Sequence, residues 1–166
     1  MASRKHRLTI PKTIFWEGKQ NRKYFLKSLI EENSFTSMAE IGVRDGRTTF
    51  FLLDNIPSLK IYGVDLSNKG YYTKEVEKKY GDRLVAIQGN SHSVSQYVPN
   101  VDLVFIDADH SYLGCKGDIL AYSHKVNSGG ILSGHDIDYK GVYKAVNELV
   151  KDYEVGPNNV WFTWVS

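Results

Sequence analysis

The sequence has few of the residues that mark unusual protein classes. It contains one cysteine, Cys115, and only four prolines in 166 residues. A single cysteine excludes an internal disulfide and favours a reducing compartment, and no apolar run is long enough to cross a bilayer. The basic start of the chain has no apolar stretch behind it, so it does not predict a secretory signal. We therefore expect a cytoplasmic protein without a membrane partner.

The length and composition are typical of one globular domain. A chain of 166 residues that is 42% hydrophobic and 24% charged can bury a core without disulfides or metals. We predict a single domain over residues 1–166, with a basic N-terminal arm or helix over residues 1–34 and the core over residues 35–166.

Charge is unevenly distributed along the chain, although its net value is only +2. Residues 1–27 hold eight of the 21 Lys and Arg residues and one of the 19 acidic residues. Such an arm either attracts an anionic partner or faces water, and we favour the second reading. Up to Leu29 it is predicted either to cover a ligand, with Phe15, Trp16, Tyr24 and Phe25 as apolar contacts, or to be a helix packed on a sheet.

From Phe35 onward, short runs rich in Val, Ile and Leu alternate with amphipathic stretches. Strands are predicted over residues 38–43, 60–66, 84–88, 101–107, 131–133 and 160–166. Helices are predicted over residues 48–55, 69–80, 112–126 and 142–153, the third ended by Gly129-Gly130. This alternation indicates a parallel sheet, whose ligands bind beyond the carboxyl ends of the strands. The last strand is predicted either to form an edge that pairs with a second copy of the chain or to stay internal.

A glycine-containing loop follows the first predicted strand. Gly42 and Gly46 allow the backbone to turn sharply and to approach a ligand, but their spacing is not that of the dinucleotide fingerprint. About 20 residues further on, Asp65 ends the second strand, where nucleotide-binding folds place an acid on ribose hydroxyls. Either feature alone is weak, because glycines also form plain turns and an Asp also caps helices. Together they favour a nucleoside ligand.

Five sequence motifs follow one another along the chain and together resemble those of a known family. They are EIGVRDGRTT, YGVD, QGNS, DLVFIDADHSY and GGILSGHD. Over residues 35–155 the chain resembles class I methyltransferases, most closely the small O-methyltransferase branch with catechol, caffeoyl and macrolide-sugar enzymes. The resemblance implies a Rossmann-like α/β fold: a mostly parallel seven-stranded sheet, helices on both faces and an antiparallel C-terminal strand. It also implies S-adenosylmethionine as cofactor. Arg44 stands where many class I enzymes have a glycine, as in the catechol-like branch.

The same resemblance assigns the cofactor contacts along the cleft. The methionine part of the cofactor is expected to contact Glu40, Gly42, Gly46 and Thr48, with Thr49 beside it. The ribose is expected to contact Asp65, and the adenine Leu66, Asn90 and Ser91. Asp107 is expected to face the methyl-transfer site.

The loops after the fourth and fifth strands carry Asp107, His110, His135 and Asp136. These strands are neighbours in this topology, so the four side chains should converge. Methyl transfer to oxygen requires the acceptor to lose a proton, and we predict His110 as the base with the other three as further catalytic residues. Alternatively Asp107, Asp136 and His135 hold Mg²⁺, which lowers the pKa of the acceptor hydroxyl. Metal-dependent relatives have Asn where this chain has Ile137.

Simpler structural roles compete with these assignments. Asp109 and His110 could cap the next helix, and His135 could pack on the sheet; His6, His92 and His124 are expected on the surface.

The predicted function is O-methylation of a small hydroxylated acceptor, a sugar or a phenol. The alternative is a catalytically silent S-adenosylmethionine-binding module or accessory subunit. A nucleic-acid partner is not expected, because no Asn/Asp-Pro-Pro-aromatic string follows the fourth strand.

Overall fold

Apolar runs form a seven-stranded sheet in the computed structural model, which describes residues 21–166. The strand order is β3-β2-β1-β4-β5-β7-β6, and only β7 runs antiparallel to its neighbours. The predicted Rossmann-like fold is therefore confirmed. The strands are β1 (Ser37–Ile41), β2 (Lys60–Asp65), β3 (Leu84–Gln88), β4 (Val101–Ile106), β5 (Val126–Gly134), β6 (Glu154–Val155) and β7 (Trp161–Trp164).

Helices cover both faces of this sheet, as expected. They are α1 (Arg22–Glu32), α2 (Arg47–Asn55), α3 (Lys74–Tyr80), α4 (Ser91–Val94), α5 (Tyr112–Tyr122) and α6 (Lys140–Leu149). Successive residues of a strand point to opposite faces, so β4 places Leu103 and Phe105 against α1 and α2 and Val104 and Ile106 against α5 and α6. A near-continuous apolar strand is thus buried on both sides.

The helix predicted over residues 69–80 is wrong in its first half. A 3₁₀ turn covers Asn68–Gly70, and α3 begins only after Thr73, whose side-chain oxygen accepts the N–H of Val76. Between the two, the Tyr71 ring is buried and its hydroxyl donates to the Gly63 carbonyl. The backbone leaves the helical conformation here because burial of the Tyr71 ring stabilises the fold more than a continued helix would.

The helix predicted over residues 112–126 is too long, and Gly129-Gly130 does not end it. The helix α5 stops at Tyr122, and both glycines lie inside β5. Gly129 has a φ of +82°, and a Cβ on Gly130 would lie 2.4 Å from the Asp102 carbonyl oxygen. The pairing of β4 with β5 shifts register between Val101 and Leu103. The glycines therefore mark a bulge, which is a common role of glycine within strands.

The C-terminal segment folds back as a hairpin. The helix α6 ends at Leu149 rather than at residue 153, and the two-residue strand β6 was not predicted. It pairs with β7, whose other side pairs with β5. Of the two alternatives for the last strand, the internal one is thus confirmed.

The helix α1 packs on the sheet, which was one of two expectations for this segment. Its first turn is capped by Asn21, whose side chain accepts the N–H of Lys23. Phe25, Leu26, Leu29 and Ile30 are buried, and the Phe25 ring lies edge-on to that of Phe162 with centroids 5.3 Å apart. The expectations for Phe15, Trp16, His6 and the other residues before Asn21 lie outside the described residues.

Candidate active site

Two adjoining cavities open where the strand order reverses, at the carboxyl ends of β1 and β4. The first, of about 400 Å³, is lined by the loops after β1, β2, β3 and β4. The second, of about 420 Å³, is lined by the start of α1 and the loops after β1, β4 and β5. Four residues border both cavities: Gly42, Arg44, Asp107 and Ala108. Ligands of open parallel sheets bind at such a point.

Gly42 brings the β1 and β4 loops into direct contact. Its φ is +92°, and a Cβ at this position would lie 2.3 Å from the carbonyl oxygen of Asp107. Gly46 has a φ of +79° and precedes α2, where a Cβ would meet the Phe50 ring at 2.5 Å. Both predicted glycines are therefore required by backbone geometry. Gly42 lies on the cavity wall, whereas Gly46 is buried behind it.

Asp65 fixes the glycine-containing loop from the end of β2. Its Oδ2 accepts the N–H groups of Val43 at 2.9 Å and Arg44 at 2.7 Å, and its Oδ1 accepts that of Ser67 at 3.1 Å. Arg44 has a φ of +59°, a conformation in which glycine is unstrained, so the arginine occupies a position suited to glycine. Asp65 and the exposed Leu66 both line the first cavity, and their assignment to the ribose and the adenine stays a prediction.

Glu40 lies buried below the glycine-containing loop, whereas Thr48 lies at the second cavity. Glu40 is buried beneath the cleft, and its carboxyl group accepts the hydroxyl of Thr49. Burial raises the pKa of Glu40 to about 8, opposed by the Thr49 bond and assisted by the charge of Asp107. Thr48 lines the second cavity, where its Oγ1 lies 3.4 Å from Nε of Arg22.

The loop after β3 contributes Asn90 and Ser91 to the first cavity, as predicted. The Asn90 side chain accepts the N–H groups of His92 and Ser93 and so caps α4. The Ser91 hydroxyl donates to Oδ1 of Asp118, a buried residue of α5. His92 is exposed, as expected, and in addition its Nε2 lies 3.2 Å from that same oxygen and the residue lines the cavity.

The four polar residues predicted to converge after β4 and β5 do so. Nε2 of His110 lies 3.0 Å from Oδ2 of Asp136 and 3.5 Å from Oδ1 of Asp107. Nδ1 of His135 lies 3.1 Å from Oδ1 of Asp136 and 3.5 Å from Oδ1 of Asp107. All four line the second cavity. Asp109 does take the helix-end role, because it accepts the N–H and the hydroxyl of Ser111, the N-cap of α5.

The two carboxylates favour the charged form of His135. Burial by itself lowers the pKa of His135, but contact with Asp107 and the charge of Asp136 outweigh it and raise the pKa. Asp136 has a φ of +58°, which only a few non-glycine residues adopt and which places its carboxylate beside both imidazoles. Such conformations concentrate at functional sites.

Three of these side chains could together hold a metal ion. One donor atom each from Asp107, His110 and Asp136 lie within 4.8 Å of one another. His110 therefore stands in this group where His135 was expected as the third ligand. Two carboxylates fit a hard cation such as Mg²⁺, which prefers oxygen ligands.

Arg22, His92 and Asp118 are among the cleft residues that were not identified from the sequence. Arg22, at the start of α1, places its guanidinium 3.4 Å from Oδ2 of Asp107 and lines the second cavity. It appeared in the sequence only as one charge of a basic segment. His92 and Asp118 lie in the first cavity. The one local signal for them was the pair of glycines, Gly114 and Gly117, on the face of α5 that meets His92.

The sheet order, the glycine-containing loop and the acid that ends β2 define a Rossmann-like α/β domain for a nucleoside-type ligand. More particularly, the chain belongs to the methyltransferase domain family, whose model matches residues 39–137. The match runs from β1 to the loop after β5 and includes every predicted site residue. The resemblance seen in the sequence is therefore confirmed.

Solved structures of methyltransferases share the fold at low sequence identity. A candidate caffeoyl-CoA O-methyltransferase from Staphylococcus aureus has a TM-score of 0.69 at 18% identity, covering 84% of this chain and 80% of that one. CalS11, a TDP-rhamnose 3'-O-methyltransferase of calicheamicin biosynthesis, has a TM-score of 0.69 at 19% identity, covering 86% and 77%. MycE of mycinamycin biosynthesis, solved with magnesium and S-adenosylhomocysteine, has a TM-score of 0.62 at 18% identity, covering 85% and 48%.

A curated relative is the uncharacterized protein R132 of Acanthamoeba polyphaga mimivirus. It is 27% identical over 147 residues, which cover 79% of this chain and 66% of the relative. The chain thus spans just under two thirds of that protein. Among the helices of residues 21–166, none has the length and apolar character that a membrane span requires.

Proposed function

We propose that this methyltransferase domain transfers a methyl group from S-adenosylmethionine to a hydroxyl oxygen of a small molecule. The carrying observation is the position of His110, which lines the second cavity and contacts two carboxylates. In this proposal the first cavity holds the cofactor, with Gly42 permitting close approach, Asp65 assigned to the ribose and Leu66 to the adenine; all three residues line this cavity. S-adenosylmethionine, when bound, supplies an electrophilic methyl group on a sulfonium sulfur.

His110 is the base in this proposal. Its buried Nε2 lies 3.0 Å from Oδ2 of Asp136 without hydrogen-bond geometry, and its side chain is 37% exposed and lines the second cavity. A hydrogen on Nε2 that faces Asp136 leaves Nδ1 with the lone pair. Nδ1 would take the proton of the acceptor hydroxyl as the acceptor oxygen attacks the methyl carbon, whose bond to sulfur would break to leave neutral S-adenosylhomocysteine. The charges of Asp107 and Asp136 then stabilise the imidazolium.

The second cavity favours a polar acceptor of the sugar type. Its lining is mostly charged or polar, including Arg22, Thr48 and the His–Asp cluster. A hydroxyl-rich ring can bond to such groups, whereas a bare phenol leaves many of them unpaired, at a cost for each buried group. CalS11, one structural neighbour, is a sugar O-methyltransferase. A small molecule, rather than nucleic acid, is the proposed partner.

Assistance by Mg²⁺ is a second candidate for deprotonation. It is favoured by the donor atoms of Asp107, His110 and Asp136 within 4.8 Å of one another. The two carboxylates, with His135 or His110 as third donor, would hold the ion, which would lower the pKa of the acceptor hydroxyl and orient it. If His110 is a ligand it is not available as the base, so the two candidates assign it different roles.

The proposed reaction is tested with S-adenosylmethionine labelled with ¹³C on the methyl group. The protein is incubated with a panel of nucleotide sugars and simple phenols, and products are located by NMR. A labelled methyl group on an oxygen of a sugar is the expected result. Label on nitrogen contradicts the oxygen acceptor, and label on phenols alone contradicts the sugar. Calorimetry that detects no S-adenosylmethionine binding contradicts the whole proposal, whereas binding without turnover on any acceptor favours the silent module.

A further inference from the structure

Arg22 places a positive charge beside the donor group formed by Asp107, His110 and Asp136. Its Nη2 lies 3.4 Å from Oδ2 of Asp107, a side chain that is only 11% exposed. Within residues 21–166, no other Lys or Arg pairs with a carboxylate of the donor group. Solvent and salt screen such a partly buried pair much less than a surface pair. The carboxylate therefore already has a counter-charge from the chain itself.

The guanidinium of Arg22 is held in place by two other parts of the chain. Its Nε donates to Oγ1 of Thr48 at 3.4 Å, in the first turn of α2. Its backbone N–H donates to Oδ1 of Asn158 at 3.3 Å, in the turn before β7. The buried side chains of Phe25 and Leu26 fix the helix that carries it. The positive charge is thus a fixed part of the second cavity.

Both oxygens of Asp107 are engaged by neighbouring groups of the chain. Oδ2 faces Arg22, and Oδ1 lies 3.5 Å from Nε2 of His110 and 3.5 Å from Nδ1 of His135. A divalent ion bound to this carboxylate would stand on the order of 5 Å from the guanidinium. Repulsion between the two cations at that distance lowers affinity by about tenfold even at the dielectric constant of water.

We infer that Arg22 is the counter-charge of Asp107 in place of a metal ion and keeps divalent cations out of the donor group. Arg22 acts through Asp107 and is a positioning residue. The inference rests on the proposed function for the catalytic role of the cluster, and it favours His110 as the base over assistance by Mg²⁺. Metal binding itself can be measured without cofactor or acceptor, so the two can fail separately.

The test measures binding of Mn²⁺ to the full chain from the electron paramagnetic resonance signal of the free ion. The wild type should bind with a Kd above about 100 μM. Arg22→Gln should bind at least about tenfold more tightly, because the two carboxylates keep their charge and lose the competing cation. Damage to the fold would weaken binding, so a merely structural role of Arg22 does not produce this gain.

Two further variants locate the effect. Arg47→Gln is the matched control, because Arg47 lines the same cavity but is 86% exposed and pairs with Asp45 at 2.8 Å. Its Kd for Mn²⁺ should stay within about twofold of the wild-type value, since an exposed charge is screened. Arg22→Gln combined with Asp136→Asn should lose the gain, because one carboxylate of the donor group is then neutral.

The wild-type Kd needs no substitution, so the inference can be tested even if Arg22→Gln does not fold. A wild-type Kd below about 100 μM overturns the inference. It is also overturned if Arg22→Gln binds no more tightly than the wild type, or if the double variant keeps the gain. None of these results touches methyl transfer. Absence of a labelled product in the experiment described above would instead contradict the proposed function and leave the Mn²⁺ affinities as they are.

Discussion

Nε2 of His110 lies 3.0 Å from Oδ2 of Asp136, although the two residues come from different loops. The strands that precede them, β4 and β5, pair in register with Ile106 opposite Gly134. The backbone continues this pairing for one more residue, as the N–H of His135 donates to the Ile106 carbonyl at 3.0 Å. The contact between imidazole and carboxylate is therefore a direct product of strand register.

Replacing His110 tests its role as the base. His110→Ala should lower turnover by about 10²–10⁴-fold, the usual contribution of a general base. The affinity for S-adenosylhomocysteine should stay within about twofold, because His110 lines only the second cavity. His124→Ala is the control, since this histidine is exposed in the turn after α5. Unchanged turnover in His110→Ala would remove the residue as base.

Removal of metal separates the two candidates for deprotonation. If the cluster holds Mg²⁺, dialysis against a chelator should lower turnover at least tenfold, and added Mg²⁺ should restore it. Asp136→Asn should weaken this restoration, because it removes one of the two carboxylates of the donor group. Asp109→Asn, whose carboxylate is used on Ser111, should still respond to Mg²⁺ like the wild type. Activity that is insensitive to chelation would leave His110 alone as the agent of proton removal.

Gly42→Ala tests the contact between the β1 and β4 loops. The new Cβ would lie 2.3 Å from the Asp107 carbonyl oxygen, so the loops must separate and cofactor binding should be lost. Gly129→Ala is a matched control with a similar φ of +82° but with no atom within 4 Å of the new Cβ. The free energy of unfolding of the control should fall by only about 1–2 kcal/mol, which is the cost of backbone strain. Urea unfolding and calorimetry measure both effects, and equal losses in the two variants would contradict the role of close approach.

Glu40 should make stability depend on pH. Burial raises its pKa to about 8 in the folded chain, whereas in the unfolded chain it stays near 4.5. Folding therefore takes up a proton between these values, and the free energy of unfolding should fall as pH rises, by at most about 1.4 kcal/mol per pH unit. Glu40→Gln keeps an acceptor for Thr49 without this charge.

The comparison of Glu40→Gln with the wild type by urea unfolding at pH 5.5, 7 and 8.5 measures this dependence. The variant should become progressively more stable than the wild type up to about pH 8 and keep a constant advantage above it. Glu148→Gln is the control, because that carboxylate is exposed, bonds Lys116 and has a lowered pKa. A stability difference for Glu40→Gln that does not change with pH would show that the carboxyl group ionises normally in the folded chain.

Much of the fold was predictable because most strands contain a short apolar run followed by a turn signal. The central strand β4 ends one residue from its predicted end, since both faces of it are buried and every residue but Asp102 is apolar. The errors arose where a single tertiary contact overrides the local pattern. Tyr71 interrupts a helical pattern to bury its ring, and Gly130 sits inside a strand because it touches the Asp102 carbonyl.

The polar cluster was predictable for a related reason: adjacent parallel strands end at the same edge, so Asp107 and Asp136 had to meet. Asp118 could not be found in this way, because one acid in a helix is ordinarily solvent-exposed and nothing in the sequence says that this one is buried. Arg22 could not be placed either. It reaches Asp107 only through the docking of α1, a contact between segments 85 positions apart that no local pattern records.

Gly42, Arg44, Asp107 and Ala108 border both cavities, and Gly42 packs so closely that a Cβ on it would lie 2.3 Å from the Asp107 carbonyl oxygen and 2.8 Å from Cα of Ala108. An occupant that shifts these atoms from one side changes the volume open on the other. Donor and acceptor binding should therefore be thermodynamically linked, and the factor by which either changes the affinity of the other must be the same in both directions.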